Sequence, residues 1–168
     1  MNYRAVESED DFEFIIKRCV EEAKNGHFSK NYALSIPVIQ AGLRSQIACA
    51  VTDSPYPFEP GNPRHGTGAK ITLIVQGDQR IGFVLLLEHM PGSWNDKIEL
   101  HLLSIVPEHR GCGIGTRVVR DLLNSLPARE IYARCYSISK VMIGVLEKNG
   151  FQIEAASCQG TQTLILRR

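Results

Sequence analysis

The feature that most constrains this chain is a nearly continuous apolar strand, Ile98 to Val106, that runs through Pro107-Glu108-His109 into the glycine-dense turn Arg110-Gly111-Cys112-Gly113-Ile114-Gly115-Thr116. A nearly continuous run of this kind reads as a buried strand. Beyond the turn, Ile114, Val118, Val119, Leu122, Leu123 and Leu126 recur at helical spacing until Pro127 stops the pattern. A helix opening this way leaves its first backbone N–H groups free, with the positive end of the helix dipole behind them. That combination holds phosphate. The glycines let an anion approach the backbone closely, and Arg110 is expected to add positive charge at the rim. The spacing is GxGxG, so neither the GxxxxGK[ST] of a Walker loop nor the GxGxxG of a dinucleotide fold is present.

The rest of the chain supplies a domain around this strand. Its 168 residues, 43% hydrophobic, suit one compact unit with a core of its own. Nineteen Lys and Arg against 18 Asp and Glu leave a formal charge of +1, which argues against a nucleic-acid partner. The five cysteines, Cys19, Cys49, Cys112, Cys135 and Cys158, are widely spaced and form no CxxC pair, so neither a disulfide framework nor a bound metal is expected. The N-terminus has no signal-peptide pattern and no run has the length of a membrane span. A soluble, cytoplasmic protein without a membrane partner is the expectation, and a homodimer is left open.

Tyr3 to Val6 read as a short strand, followed by Ser8 as a helix cap with Asp11 three positions on. Phe12, Ile15, Ile16, Cys19, Val20 and Ala23 give the first helix its apolar face. Ser35 is placed as the cap of a second helix, with Pro37 in its opening turn and Ile39, Leu43 and Ile47 facing inward. The proline-rich stretch from Thr52 to Gly68 reads as a long loop. Ile71 to Val75 and Ile81 to Leu87 flank a tight Gly-Asp turn as a hairpin. After the loop Met90 to Lys97 and the central strand and helix, Glu130 to Tyr136 return as a strand. Ile138, Met142, Val145 and Leu146 mark a helix closed by Lys148-Asn149-Gly150, a left-handed cap. Phe151 to Ala156 and Thr161 to Leu166 then pair across Gln159-Gly160. The order β-α-α-β-β-β-α-β-α-β-β predicts an α/β (α+β) domain in which about four helices flank a mixed, mostly antiparallel sheet.

Arg110-x-x-Gly113-x-Gly115 after a hydrophobic strand and a Val-Pro, together with Lys148-Asn149-Gly150-Phe151 at the end of the next helix, resembles the acyl-CoA-binding motif of the GNAT superfamily of N-acetyltransferases. The resemblance implies a single GNAT domain over 1–168, its acyl-CoA-binding core at about 98–151. It implies that acetyl-CoA is the acyl donor and that an amine-bearing acceptor receives the acetyl group by direct attack. The backbone of Leu103, Ser104 and Ile105 would hold the pantetheine arm. The turn from Arg110 through Gly111, Cys112, Gly113, Ile114 and Gly115 to Thr116 would hold the pyrophosphate, and the N–H of Ile105 would bond the thioester carbonyl.

Transfer to an amine also needs a base, because a primary amine with a pKa of ~10.4 is mostly protonated at neutral pH. A strand period of two puts Glu99, His101, Leu103 and Ile105 on one face, with Glu99 the expected base and His101 its alternative. Glu99 also resembles a position where some family members carry a catalytic glutamate. Two positions depart from the family. Leu146 stands where many members carry the tyrosine that protonates the departing thiolate, and Ser139 stands where an asparagine is frequent near the start of that helix. Tyr136 or Ser139 is the candidate substitute donor, with solvent as the alternative, and Ser139 also counts among the cofactor contacts. Leu146 keeps a second reading in play, a non-catalytic acyl-CoA-binding or sensory module. A third, a tRNA-directed acetyltransferase of the toxin type, is disfavoured by the near-neutral charge. Cys112, at a helix N-terminus, is an outward-facing residue in this reading.

Overall fold

The computed structural model describes residues 1–52, 68–88, 97–126, 129–158 and 160–167. The elements are β1 (Asn2–Arg4), α1 (Glu9–Lys24), α2 (Pro37–Val51), β2 (Gly68–Gln76), β3 (Gln79–Glu88), β4 (Ile98–Ile105), α3 (Ile114–Ser125), β5 (Ile131–Tyr136), α4 (Lys140–Lys148), β6 (Gln152–Ala156) and β7 (Thr161–Leu166), with short 3-10 turns before α2 and after β4. One seven-stranded sheet runs β1-β2-β3-β4-β5-β7-β6. Every pairing in it is antiparallel except β4 with β5. Most of the expected loops Thr52 to Gly68 and Met90 to Lys97, the stop at Pro127 and the turn residue Gln159 lie outside the described residues.

The helices cover the two faces of the sheet separately. Ile15, Ile16 and Cys19 of α1 and Leu43 and Ile47 of α2 pack on Ile71, Leu73, Phe83, Leu85, Leu87 and Leu102. On the opposite face, Val119 and Leu123 of α3 and Leu146 of α4 pack on Val84, Leu86, Ile98, Leu100, Ile131, Ala133 and Cys135. Each fully buried Leu, Ile or Phe here contributes about 1.5–3 kcal/mol relative to exposure. The central strands are apolar on both faces because both faces are covered.

Local chemistry sets the helix ends. Ser8 and Asp11 form a reciprocal capping box at α1, as their spacing predicts. The buried Asp11 also receives Arg4 and, at 2.5 Å, Arg80. Its carboxyl lies well below the usual carboxylate range, chiefly through the hydrogen bonds from Arg4 and against the opposing effect of its burial. Ser35 does not cap α2: the cap position falls at Ile36 without a side-chain bond, and Pro37 starts the helix. Proline has no N–H to be satisfied, so the uncapped first turn has one fewer unpaired donor. Ile39 is half-buried, while Leu43 and Ile47 are buried. The first strand ends at Arg4, short of the expected Val6. At the end of α4, Gly150 has φ +89° and the amide of Phe151 donates to the carbonyl of Leu146, the left-handed cap expected there.

Candidate active site

β4 and β5 pair only across Ile98–Leu100 and Ile131–Ala133, and beyond that the two parallel strands part. The gap opens into a cleft of about 830 Å³, lined from β4 by Glu99 to Ile105, from the glycine turn, from β5 by Ala133 to Tyr136, and from α1 and α4. This is within the size range of small-molecule sites.

The mouth of the cleft is backbone. Gly111 and Gly113 both have φ +79°, and a Cβ on either would meet nothing within 4 Å, so the turn is open on its ligand side. Gly113 takes the N-cap position of α3 with no side chain to satisfy the first amides, which leaves them for an anion. Ile114, Gly115 and Thr116 line the cleft behind it. Cys112 faces outward, its thiol 3.1 Å from the carbonyl of His109. Arg110 lines the cleft beside the turn and is held there by two bonds. Its Nε donates to the carbonyl of Ile105 at 2.8 Å and its Nη2 pairs with the buried Glu22 of α1.

Glu22 belongs to a network with no signature in sequence spacing. Arg18 and Arg110 both reach it, Ser104 Oγ donates to it at 2.9 Å, and Arg18 donates to Ser104 Oγ at 3.1 and 3.2 Å. The network ties α1 to the end of β4 and to the turn. Buried charges demand such pairing, since an unpaired one is costly to remove from water.

Midway along β4 the regular alternation fails. Leu102 is opposite Leu85 but Leu100 is opposite Leu86, so His101 is the extra residue of a β-bulge. The bulge corrects the expected shared face. Leu103 and Ile105 lie with Leu100 toward α3, whereas Glu99, like Ser104, faces the α1 side. There Glu99, 1% exposed, accepts from Tyr132 Oη at 2.6 Å, from Arg134 Nη2 at 2.8 Å and Nε at 3.1 Å, and lies 3.0 Å from His101 Nδ1. A carboxylate receiving these donors is an acceptor toward His101 as well, so the contact is a hydrogen bond in the tautomer that carries the ring proton on Nδ1. His101 lines the cleft at the point where β4 and β5 part.

The amide of Val106 donates to Ile81 across the β3 side at 2.9 Å. By strand alternation, Ile105 and Leu103 turn their N–H groups the other way, toward the gap where β5 has left. Tyr136 is 37% exposed and Ser139 is 7% exposed, and both line the cleft. Leu146 is fully buried in the core under α3 and α4. Cys135 lines the cleft too, with its thiol pushed up to about 11 by burial. Of the residues expected from sequence, β4, the turn, Tyr136 and Ser139 come together around one cleft. Glu22, Arg18, His27, Tyr132 and Arg134 are additions that the fold brings in. Of these, only His27 has a local signal, the glycine at 26 that ends α1.

A mixed sheet split between two parallel strands, with a turn of uncapped backbone amides at the mouth of the split, is a shape suited to an extended ligand with an anionic end. Residues 45–151 match the model of the acetyltransferase (GNAT) family. The chain belongs to that family and is an acyltransferase with the GNAT fold. No curated protein matches its sequence. Among solved structures, PaiA N-acetyltransferase from Thermoplasma acidophilum in complex with coenzyme A is similar over 99% of this chain and 98% of that one, with TM-score 0.65 at 18% identity. Spermidine N-acetyltransferase from Vibrio cholerae in complex with CoA and spermine is similar over 98% and 94%, with TM-score 0.67 at 16% identity. An acetyltransferase from Thermus thermophilus is similar over 99% and 97%, with TM-score 0.66 at 15% identity. At these identities the likeness is one of fold. Among the described residues, no helix is long and apolar enough to cross a membrane and no group of acidic, His and Cys side chains could hold a metal ion.

Proposed function

We propose that this protein is a single-domain, cytoplasmic N-acetyltransferase that moves the acetyl group of acetyl-CoA to a primary amine by direct attack, its acyl-CoA-binding core at about 98–151. The observation that carries this reading is the Glu99–His101 pair at the bulge, beside the inward N–H groups of Leu103 and Ile105. The pyrophosphate would lie against the amides of the turn from Gly111 to Thr116, with Arg110 bracing that turn through Glu22. The pantetheine arm would follow Leu103, Ser104 and Ile105. Attack on the thioester carbonyl places negative charge on its oxygen, and a fixed backbone N–H at Ile105 lowers that barrier without reorganising. His101 takes the proton from the amine, and Glu99 holds the ring in the tautomer that can do so. Tyr136 and Ser139 present hydroxyls on the thiolate side. Cys135, held as a neutral thiol by burial, is a poor nucleophile, which favours direct attack over an acetylated cysteine. The N-acetyltransferases of similar fold, one of them solved with spermine, support an amine as the acceptor.

The burial of Leu146 favours a second reading, an acyl-CoA-binding module without turnover. Release of free CoA thiol from acetyl-CoA across a panel of amine classes separates the two. With an active amine in hand, His101→Gln and Glu99→Gln should each lower kcat by roughly 10²- to 10⁴-fold near neutral pH while CoA affinity by calorimetry is unchanged. The loss should shrink at high pH, where the amine is already free. A Glu99→Gln pH–rate profile superimposable on the parent's would remove Glu99 from the mechanism.

A further inference from the structure

Ser139 holds the N-cap position of α4, where a serine hydroxyl ordinarily accepts from the first amides of its own helix. Here it makes no such bond. Its Oγ instead lies 3.0 Å from Nδ1 of His27, 112 residues away in the chain, and both side chains line the cleft. The pairing follows from how α1 ends. Gly26, at φ +78°, donates to the carbonyl of Ala23, and the amide of His27 donates to Glu22 at 2.9 Å, a paired left-handed cap that turns His27 off the helix axis. A Cβ added at Gly26 would meet Ile138 at 3.8 Å, so this turn rests on the segment that carries Ser139. A hydroxyl bonded to an imidazole, in the same cleft as the Glu99–His101 pair and without its usual capping duty, is arranged to carry a proton into the cleft.

We infer that His27 and Ser139 form a relay that protonates the sulfur of the departing CoA, with Ser139 giving the proton and His27 acting through it as a positioning and supplying residue. The inference rests on the acetyl-transfer reading above. When the tetrahedral intermediate collapses, the carbon–sulfur bond breaks and sulfur keeps the electron pair. The Ser139 hydroxyl gives its proton to that sulfur as the protonated ring of His27 gives the Nδ1 proton to the Ser139 oxygen. The products are the acetylated acceptor and CoA thiol, and the half-buried imidazole regains a proton from solvent.

The test uses the full chain with acetyl-CoA and hydroxylamine, a nucleophile already unprotonated at neutral pH. Its attack needs no base, so the assay isolates the leaving-group side. At saturating acetyl-CoA, and after subtraction of the uncatalysed reaction, His27→Gln and Ser139→Ala should each lower kcat for acetohydroxamate formation by at least about tenfold. The double variant should be no slower than the slower single one, because the two act as one unit. CoA affinity of His27→Gln should match the parent, which shows that the cleft is intact. Parent-like kcat in either single variant, multiplicative losses in the double, or a loss confined to KM would overturn the relay. So would a loss in Tyr136→Phe with none in His27→Gln. If the parent transfers acetyl to neither hydroxylamine nor any amine, the acetyl-transfer reading itself fails, and no variant is needed to see it.

Discussion

At the mouth of the cleft the groups facing the ligand are backbone amides from one short run, Gly111 to Thr116, whereas at its reacting end they are side chains drawn from separate elements: His27 after α1, Glu99 and His101 on β4, Arg134 on β5 and Ser139 before α4. The two ends tolerate change differently. A backbone device survives most substitutions that keep its dihedral angles, and fails when bulk or charge enters the space meant for the anion. A side-chain device fails when one atom loses its partner, and leaves ligand binding untouched. Arg110 and Glu22 couple the two ends, since the same arginine bonds the carbonyl of Ile105 and the carboxylate on α1.

The largest effect should come from Gly113→Glu. It forces a side chain into a left-handed position and a negative charge onto the phosphate site, so affinity for CoA should fall by more than about 100-fold while the circular dichroism of the fold is kept. Undiminished affinity in calorimetry would mean that the mouth is not the phosphate site, and the comparison would collapse.

Asp11 tests whether the α1 wall depends on buried charge. Its folded pKa is depressed, so its contribution to stability is complete above the unfolded carboxylate value of ~3.9 and is lost as the pH falls below it. Asp11→Asn should cost about 3 kcal/mol or more at neutral pH in denaturant unfolding, and measurably less at pH 2, since the contribution fades only as the pH falls from ~3.9 toward the depressed folded value. An equal loss at both pH values would assign the effect to packing rather than to the ion pairs with Arg4 and Arg80.

A smaller effect is expected at Gly82, which packs against the strand that carries both ends. A Cβ there would sit 2.3 Å from the carbonyl oxygen of Ser104 and 2.9 Å from Ile105 Cδ1. Gly82→Ala should destabilise by about 1–3 kcal/mol, and since it displaces β4 it should weaken turnover and CoA binding together. A change in turnover alone would show that the reacting end moves independently of the mouth. The smallest effect belongs to Leu146→Met, a volume-conserving change in the core that should cost under about 1.5 kcal/mol and leave kcat at the parent value. A large fall in kcat there would place Leu146 against the thioester, contrary to its burial.

Much of this molecule is legible residue by residue. The capping box at Ser8, the Gly77 hairpin, the glycine turn and the Gly150 cap are each written in a few adjacent residues, because their geometry is set by local dihedral angles and hydrogen bonds. The failures have the opposite origin. Ser35 reads as a cap by residue type, but the position of a helix start also depends on how α2 docks, and Pro37 already tolerates the uncapped end. Counting in twos aligns Glu99 with Ile105, and one extra residue at His101 reverses that count. Nothing in the composition of β4 announces a bulge, since it arises from the pairing of β4 with β3.

The order of elements and the apolar strand leading into a glycine turn are readable in the chain itself, since each rests on interactions between near neighbours, and the resemblance of that turn and of Lys148-Asn149-Gly150-Phe151 to the GNAT motif carried the acyltransferase fold. That Arg110 bonds to Glu22, that Glu99 is buried against Tyr132 and Arg134 with His101 beside it, and that His27 meets Ser139 across 112 residues follows from packing between distant segments. The physical reason is that a buried polar side chain must find its hydrogen-bond partner wherever packing brings one within about 3 Å, and separation along the chain carries no information about which partner that is.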